Sequence, residues 1–537
     1  VVSLETAPDG LDAVLKEWNA DTRVALRLTT RRLANPPAVL PRPGQTTGPD
    51  GRFRLTGLGR ERLAVLRIEG PTIERQTVWV ATRPGIDAKR YANGGRPVTM
   101  PGMLVMVPMK LYGPSFEHAA GPTRPIEGIV RDARTGKPLA GVGVNGGLEA
   151  GLPDSHARTQ TDENGRYRLV GLPKVARYRI NLFPPAGSRA YLPAGGYVSD
   201  AVGLGPLTAD FTMARGVLVK GRVTDRATGQ PVQASLQCVP LADNKFFAET
   251  PGTDVFRFSA IGYGTDPDGR FEIIALPGSN LVLATARDQP NHYTQARLRP
   301  EDRAKTSQDD APDEIFLGAG GNALFLVSSN AYKLIDPPAD AESITLDVQF
   351  DRGRAVSGTV RGPDGQPLSG ARVVGLTEVM SQPETLKGPE FRADALDPAH
   401  PRTLEFLHRE RKLVGSVTVR GDEKEPPAVT LQPWGVLTGR VLDPEGRPAA
   451  GATIYAAYRG RRAGTLLLRG QSPTARRFET DADGRFRIEG LIPGEVVELR
   501  FRKPYMRSAA DQRVGELTLS PGETKDLGEV RLQVMRE

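Results

Sequence analysis

A twelve-residue phrase, T-D-A-D-G-R-F-R-I-E-G-L at Thr480–Leu491, is written four times in this chain and constrains its fold more than any other feature. The other copies are T-G-P-D-G-R-F-R-L-T-G-L (Thr47–Leu58), T-D-E-N-G-R-Y-R-L-V-G-L (Thr161–Leu172) and T-D-P-D-G-R-F-E-I-I-A-L (Thr265–Leu276). In each, an Asp/Asn-Gly turn feeds a strand whose aromatic and aliphatic residues alternate with Arg or Glu. That is the pattern of a hairpin strand with one buried face. Repetition on this scale means several copies of one small unit. It says little about what the unit does.

An earlier phrase defines the other end of the unit. It reads G-I-V-R-D-A-R-T-G-K-P-L-A-G-V at Gly128–Val142 and G-R-V-T-D-R-A-T-G-Q-P-V at Gly221–Val232. It returns as G-T-V-R-G-P-D-G-Q-P-L-S-G-A at Gly358–Ala371 and G-R-V-L-D-P-E-G-R-P-A-A-G-A at Gly439–Ala452. The leading G-x-V is a strand. The Asp, Gly and Pro that follow form a turn, with Gly supplying positive φ and Pro fixing φ on re-entry. Short strands punctuated by turns predict an antiparallel β-sandwich in each unit.

Together the two phrases resemble the carboxypeptidase regulatory-like domain, a transthyretin-like (prealbumin-like) β-sandwich. The resemblance covers the greater part of the chain and implies an all-β fold, a tandem array of such sandwiches with minor short helices. The order of units is similar to that of large bacterial proteins that string these domains together, in which the repeats follow a membrane-bound metallopeptidase or a sigma-factor-like segment. Val1 is read as an internal start, with more sequence expected upstream. Five units are expected: a truncated one at 1–113, then 122–215, 216–353, 354–433 and 434–537. Leu11, Val14, Leu15 and Trp18 fall at helical spacing, predicting a short packing helix at Leu11–Trp18 in the first unit. The third unit carries a long insertion between Asp288 and Ala341, with an apolar run at Ala323–Val327. The fourth has lost the second phrase, and D-P-A-H-P-R-T-L-E-F-L-H at Asp397–His408 stands in its place, a Pro-containing loop supplying the turn. Linkers are nearly absent at Gly216, Gly353 and Gly435, which favours a semi-rigid array.

With 60 Gly, 46 Pro, 39% hydrophobic and 25% charged residues, the chain is a turn-rich globular protein. Its 71 Lys+Arg against 63 Asp+Glu give a net charge of +8, spread through all units. Nucleic-acid binding calls for a dense basic patch with interleaved aromatics, and aromatics are only 6% here, so no nucleic-acid partner is expected. An anionic envelope polymer or membrane surface suits a mild positive charge better. The single cysteine, Cys238, forbids intrachain disulfides and a cysteine zinc cage; it sits in an alternating strand as a buried small hydrophobe. No segment approaches the roughly 20 apolar residues of a membrane span.

Catalytic and cofactor signatures were sought in turn, and the sequence predicts no catalytic, cofactor-binding or metal site and no cofactor. The five histidines (His118, His156, His292, His400, His408) form neither H-x-x-E nor H-E-x-x-H, and zinc hydrolysis needs three ligands and a carboxylate base. The resemblance does not imply peptidase activity, because the named domain is accessory to the catalytic one. The D-x-D-G turns fail as calcium loops: with Asp481 and Asp483 at the first and third positions, Arg485 occupies the fifth and Ile492 the twelfth. G-V-G-V-N-G at Gly141–Gly146 matches a dinucleotide fingerprint by letters alone, since no helix follows. There is no nucleophile elbow and no P-loop. Lys–Asn isopeptide cross-linking is not expected: Lys220 precedes G-R-V, but the matching positions are Glu127, Ser357 and Thr438.

The sequence therefore points to a non-enzymatic binding or spacer region of a bacterial cell-envelope or extracellular protein, its partner a polysaccharide or another envelope protein. Two alternatives stand beside it. One is carbohydrate or peptidoglycan recognition through variable loops, with Trp18, Trp79, Trp434, Tyr191, Tyr197, Tyr263 and Tyr293 as candidate platforms. The other is a sensing or accessory region of a larger metallopeptidase or signalling protein. An extracytoplasmic location follows from the resemblance.

Overall fold

A computed structural model describes residues 2–5, 46–87, 96–100, 103–107, 111–148, 156–255, 262–297, 315–377, 383–458, 477–502 and 512–532, with a few short interruptions inside these spans. Among them the structure is almost entirely β, and the one helical element is the 3-10 turn Pro290–His292. The expected helix at Leu11–Trp18 lies outside the described residues.

One strand order recurs four times. In residues 126–213 one sheet runs Arg166–Leu169, Ile126–Asp132, then Leu207–Thr208 and Phe211–Met213. The facing sheet runs Ala194–Ser199, Arg177–Phe183, Gly143–Leu148 and Ala157–Gln160. Ile126, Val130, Leu169 and Met213 of the first sheet and Val144, Tyr178, Ile180 and Leu182 of the second meet in one core. Equivalent sandwiches are led by Val217–Asp225, Arg354–Arg361 and Gly435–Leu442, each with its own apolar cluster. Alternation puts these residues inside: Arg166–Leu169 reads exposed, buried, exposed, buried.

The two phrases meet in register. Gly128 lies opposite Tyr167, Gly221 opposite Phe271, Gly358 opposite Phe391 and Gly439 opposite Phe486. At Gly221, Gly358 and Gly439 the glycine leaves room for the ring of its partner: a Cβ on Gly358 would lie 2.4 Å from Phe391 Cζ. The threonine opening the second phrase is also structural. Thr161 Oγ1 accepts from the Val142 N–H at 2.9 Å and donates to Leu139 O at 2.6 Å, and Thr480 repeats this with Ala452 and Ala449.

Four details differ from the sequence reading. The sandwiches are mainly antiparallel, but the closing strand of each runs parallel to the leading strand, as in Leu207↔Ile126 and Ser343↔Leu218. The edge strand Ala331–Ile335 belongs to the third sandwich itself, so the insertion ends before it; the hairpin Ile315–Gly318 with Asn322–Phe325 contains much of the apolar run. In the fourth sandwich the second phrase is disguised, not lost. Glu390–Leu396 pairs with the leading strand, Leu386 takes the backbone bonds of the missing threonine, and Pro389 O replaces the glycine carbonyl as acceptor for the Val360 N–H at 2.8 Å. Asp397–His400 is the next turn along, and Arg402–His408 the strand after it. In the first unit the turn at Asp50-Gly51 forms, yet Arg52–Thr56 is unpaired as a strand; a four-stranded sheet of Val2–Glu5, Leu63–Ile68, Gln76–Ala81 and Leu111–Tyr112 stands beyond it.

Gly165 and Gly484 hold φ of 70° and 74°. From sequence, valine at either site would cost about 1–2 kcal/mol of left-handed strain. A Cβ would also come within 2.7 Å of Val130 O at Gly165 and 2.4 Å of Val441 O at Gly484. The expected loss in Gly165→Val and Gly484→Val therefore rises to about 3 kcal/mol. Calorimetric melting checks this, and near-wild-type transitions would contradict the turn assignment.

Candidate functional site

The repeated aspartates of the second phrase are committed to backbone hydrogen bonds. Asp481 Oδ1 accepts from the N–H groups of Asp483 (3.0 Å) and Arg485 (2.8 Å), and Asp162 does the same with Asn164 and Arg166. Their lone pairs are used by the turn, as the Asp side chains of such turns ordinarily are. Among the described residues no group of three His, Cys, Asp or Glu side chains is placed to hold a metal. His400 and His408 share the fourth sandwich without forming a site: His400 Nδ1 lies 2.7 Å from Asp397 Oδ2, while His408 Nδ1 accepts from the Arg411 N–H at 3.3 Å. Cys238 is buried in the third core, and burial pushes its thiol up to about 12, so it is not a nucleophile at neutral pH.

The convergent ionisable clusters that do exist grow from the aspartate of the first phrase. Asp132, 2% exposed, uses Oδ1 to cap the N–H groups of Arg134 and Thr135. Its Oδ2 receives the Tyr191 hydroxyl at 2.8 Å and Arg215 Nε at 3.1 Å, and the Arg215 guanidinium lies 5.1 Å over the Tyr191 ring. Asp225, 1% exposed, repeats the arrangement with Ala227, Thr228, Tyr293 and Arg352. Burial alone would raise the Asp132 carboxyl. The Thr135 N–H, the Tyr191 hydroxyl, the Arg134 N–H and Arg215 outweigh it and hold the group well below the usual carboxylate range. Asp225 is lowered in the same way, burial being opposed by Arg352 and its two capping N–H groups. Burial and the adjacent carboxylate raise Tyr191, keeping it a phenol that donates.

Each cluster contains a fixed anion, a neutral donor and a cation, with no nucleophile and no general base near neutrality. Its geometry fastens the chain as it leaves a sandwich, because Arg215 and Arg352 immediately precede Gly216 and Gly353. The sequence reading missed these partners. Tyr191 and Arg215 lie 59 and 83 residues from Asp132, beyond any local motif. A signal lay in comparing repeats: the copy in the fourth unit has Gly362 at the aspartate position and Pro433-Trp434 at its exit.

The candidate carbohydrate platforms are mostly committed elsewhere. Trp79 and Tyr293 are buried, Trp434 packs on the fifth core, Tyr191 is bonded to Asp132, and Tyr263 lies half-buried in a short strand. Trp18 lies outside the described residues. Tyr197 is 41% exposed, with the Arg177 guanidinium 3.8 Å from its ring centroid. No helix among the described residues is long and apolar enough to cross a membrane.

Fold and clusters together define a string of β-sandwiches of one strand order whose shared residues serve the backbone. Residues 436–533 match the family model of the carboxypeptidase regulatory-like domain, and the strand order and phrases of that segment recur in the sandwiches before it. Among solved structures, a streptococcal ancillary pilin is similar at 12% identity, covering 57% of this chain and 98% of its own, with a TM-score of 0.25. GBS52, the minor pilin of Streptococcus agalactiae, matches at 14% identity over 34% of this chain and 98% of its own, TM-score 0.19. BcpA, the major pilin subunit of Bacillus cereus, matches at 10% identity over 76% of this chain and 100% of its own, TM-score 0.15. Similarity at these scores carries no argument about role. No curated protein matches the chain.

Proposed function

We propose that this chain is a non-catalytic binding or spacer region of a bacterial cell-envelope or extracellular protein, divided into modules as the repeats suggest and located outside the cytoplasm. The observation that carries this reading is that neighbouring sandwiches are bonded directly to one another. The Arg75 N–H donates to Gly171 O at 2.8 Å, and the Gly195 N–H to Gly252 O at 2.9 Å. Leu192 is buried against Val239, Ile274 and Leu281 of the following sandwich, and Leu407 and Val414 join the core of the last. Contacts of this kind leave little slack between modules and suit a chain that must hold distance.

Small-angle scattering is the test. The wild-type chain is expected to give the pair-distance profile of a semi-rigid array, and Leu192→Asp, which places a charge in the 2–3 contact, to broaden that profile. A wild-type profile already equal to that of freely jointed domains would overturn the spacer reading.

A further inference from the structure

Three of the four large apolar side chains that stand exposed among the described residues fall within one eight-residue stretch: Tyr197 (41%), Val202 (103%) and Leu204 (47%). They lie at one end of the second sandwich, on the strand Ala194–Ser199 and on the loop that carries the chain across to Leu207–Thr208. The fold does not require them. The corresponding crossing reads D-P-P-A-D-A-E in the third sandwich, R-G-D-E-K-E-P-P in the fourth and S-P-G-E in the fifth, without a large aliphatic or aromatic residue.

This loop is held from within. Arg124, whose side chain is 2% exposed, donates through Nε to Asp200 Oδ1 at 2.7 Å, through Nη2 to Ala201 O at 2.9 Å and through Nη1 to Gly205 O. Lys174 Nζ donates to Asp200 Oδ2, to Ala201 O at 2.7 Å and to Gly203 O at 2.9 Å. The carbonyls of residues 201, 203 and 205 therefore turn inward onto two cations, and the intervening side chains, Val202 and Leu204, stand outward. Dehydrating those three carbonyls costs little, because each already has a cationic partner. At the base of the loop Lys174, Arg177 and Arg124 outnumber Asp200, and Tyr197 lies under Arg177.

We propose that this loop is a membrane-docking element, in which Val202 and Leu204 enter the acyl boundary of an anionic bilayer while Tyr197, Arg177 and Lys174 lie at headgroup level. The charge beside the exposed side chains favours a bilayer over a protein pocket. Exposed aliphatics share one loop and strand with an exposed aromatic and a surplus of cations, a combination an anionic lipid interface complements. The inference is separate from the spacer reading, since an array of modules holds its geometry with or without a lipid contact.

The full chain is tested by co-sedimentation with vesicles of equimolar phosphatidylcholine and phosphatidylglycerol, and with phosphatidylcholine vesicles alone. The wild-type protein is expected to bind the anionic vesicles at least about tenfold more tightly than the neutral ones. The Val202→Ser, Leu204→Ser double variant should lose roughly tenfold or more of that affinity with an unchanged thermal melt, since neither side chain packs in the core. Absence of vesicle binding, or equal binding by the double variant, would overturn the proposal. So would concentration-dependent self-association abolished by the variant in the absence of lipid binding, which would assign the loop to a second copy of the chain.

Discussion

Gly221→Ala is expected to unfold the third sandwich at temperatures the rest of the chain survives. The closing chain of that sandwich pairs parallel with the leading strand twice, at Leu218–Lys220 and again at Val223–Asp225. Between the two pairings it arches over Gly221 through Leu346 and Asp347. The arch is bonded down by the Leu346 N–H to Lys220 O at 2.8 Å and by the Arg222 N–H to Asp347 Oδ1 at 3.0 Å. A methyl on Gly221 would lie 1.7 Å from Leu346 O and 2.9 Å from Phe271 Cζ. The arch must lift, forfeiting both hydrogen bonds and part of the strand pairing, at a combined cost of about 4–5 kcal/mol. That is most of the stability of a small domain. Gly128→Ala should act alike in the second sandwich, where the same methyl would lie 1.8 Å from Ala209 O. Gly439→Ala should cost less, about 1–2 kcal/mol, because the nearest backbone oxygen there is Gly528 O at 3.2 Å. Limited proteolysis during heating resolves the sandwiches individually. Equal losses in all three variants would discard the arch.

The local part of this architecture was legible in the sequence and the crossing part was not. Asp162, Gly165 and Tyr167 announce a turn and a half-buried strand because turn chemistry and period-two alternation are written in consecutive letters. The G-x-V glycine reads as the start of a strand, but its need for a bare Cα comes from Ala209, 81 residues on by way of the Asp210 bond to Ile129. Nothing near Gly128 encodes that approach. The copy of the second phrase in the fourth unit was hidden because Leu386 replaces the threonine and the segment to Phe391 is one residue shorter, so a letter-by-letter match fails while the backbone ladder is kept. The Thr47–Leu58 copy shows the converse. Its letters are nearly perfect, yet the turn alone forms and Phe53 remains 41% exposed. For the candidate site, the local Asx turns of Asp162 and Asp481 could be read from consecutive letters. The Asp–Tyr–Arg clusters could not, because their members meet only once two sheets have packed.

Replacing Asp132 and Asp225 by Asn should destabilise the second and third sandwiches by about 2–3 kcal/mol each at neutral pH, and the penalty should vanish in acid. Asn retains the shape and the carbonyl that caps the turn, so what it removes is the charge facing Arg215 and Arg352 and the acceptor for Tyr191 and Tyr293. A charge-assisted bond to a buried carboxylate contributes more than a neutral one, and its cation is left without that anion. The sign with pH follows from the lowered carboxyls. Unfolded aspartates titrate near about 3.9, and the folded groups bind their protons only at lower pH. Between those values the unfolded chain holds more protons, so stability falls as pH falls. The stabilisation is complete above pH ~4 and is lost as the pH drops through the folded values. Calorimetry stepped from neutral pH down through the range of the folded carboxyls should therefore show a wide gap between wild type and the Asp132→Asn, Asp225→Asn double variant that begins to narrow only below pH ~4 and closes once the folded carboxyls are protonated. The fourth and fifth sandwiches serve as internal controls. Gly362 replaces the aspartate in one, and in the other Asp443 bonds Arg447 of its own turn at 2.8 Å. A gap that stays constant with pH, or widens in acid, would show that these carboxylates do not hold the module exits.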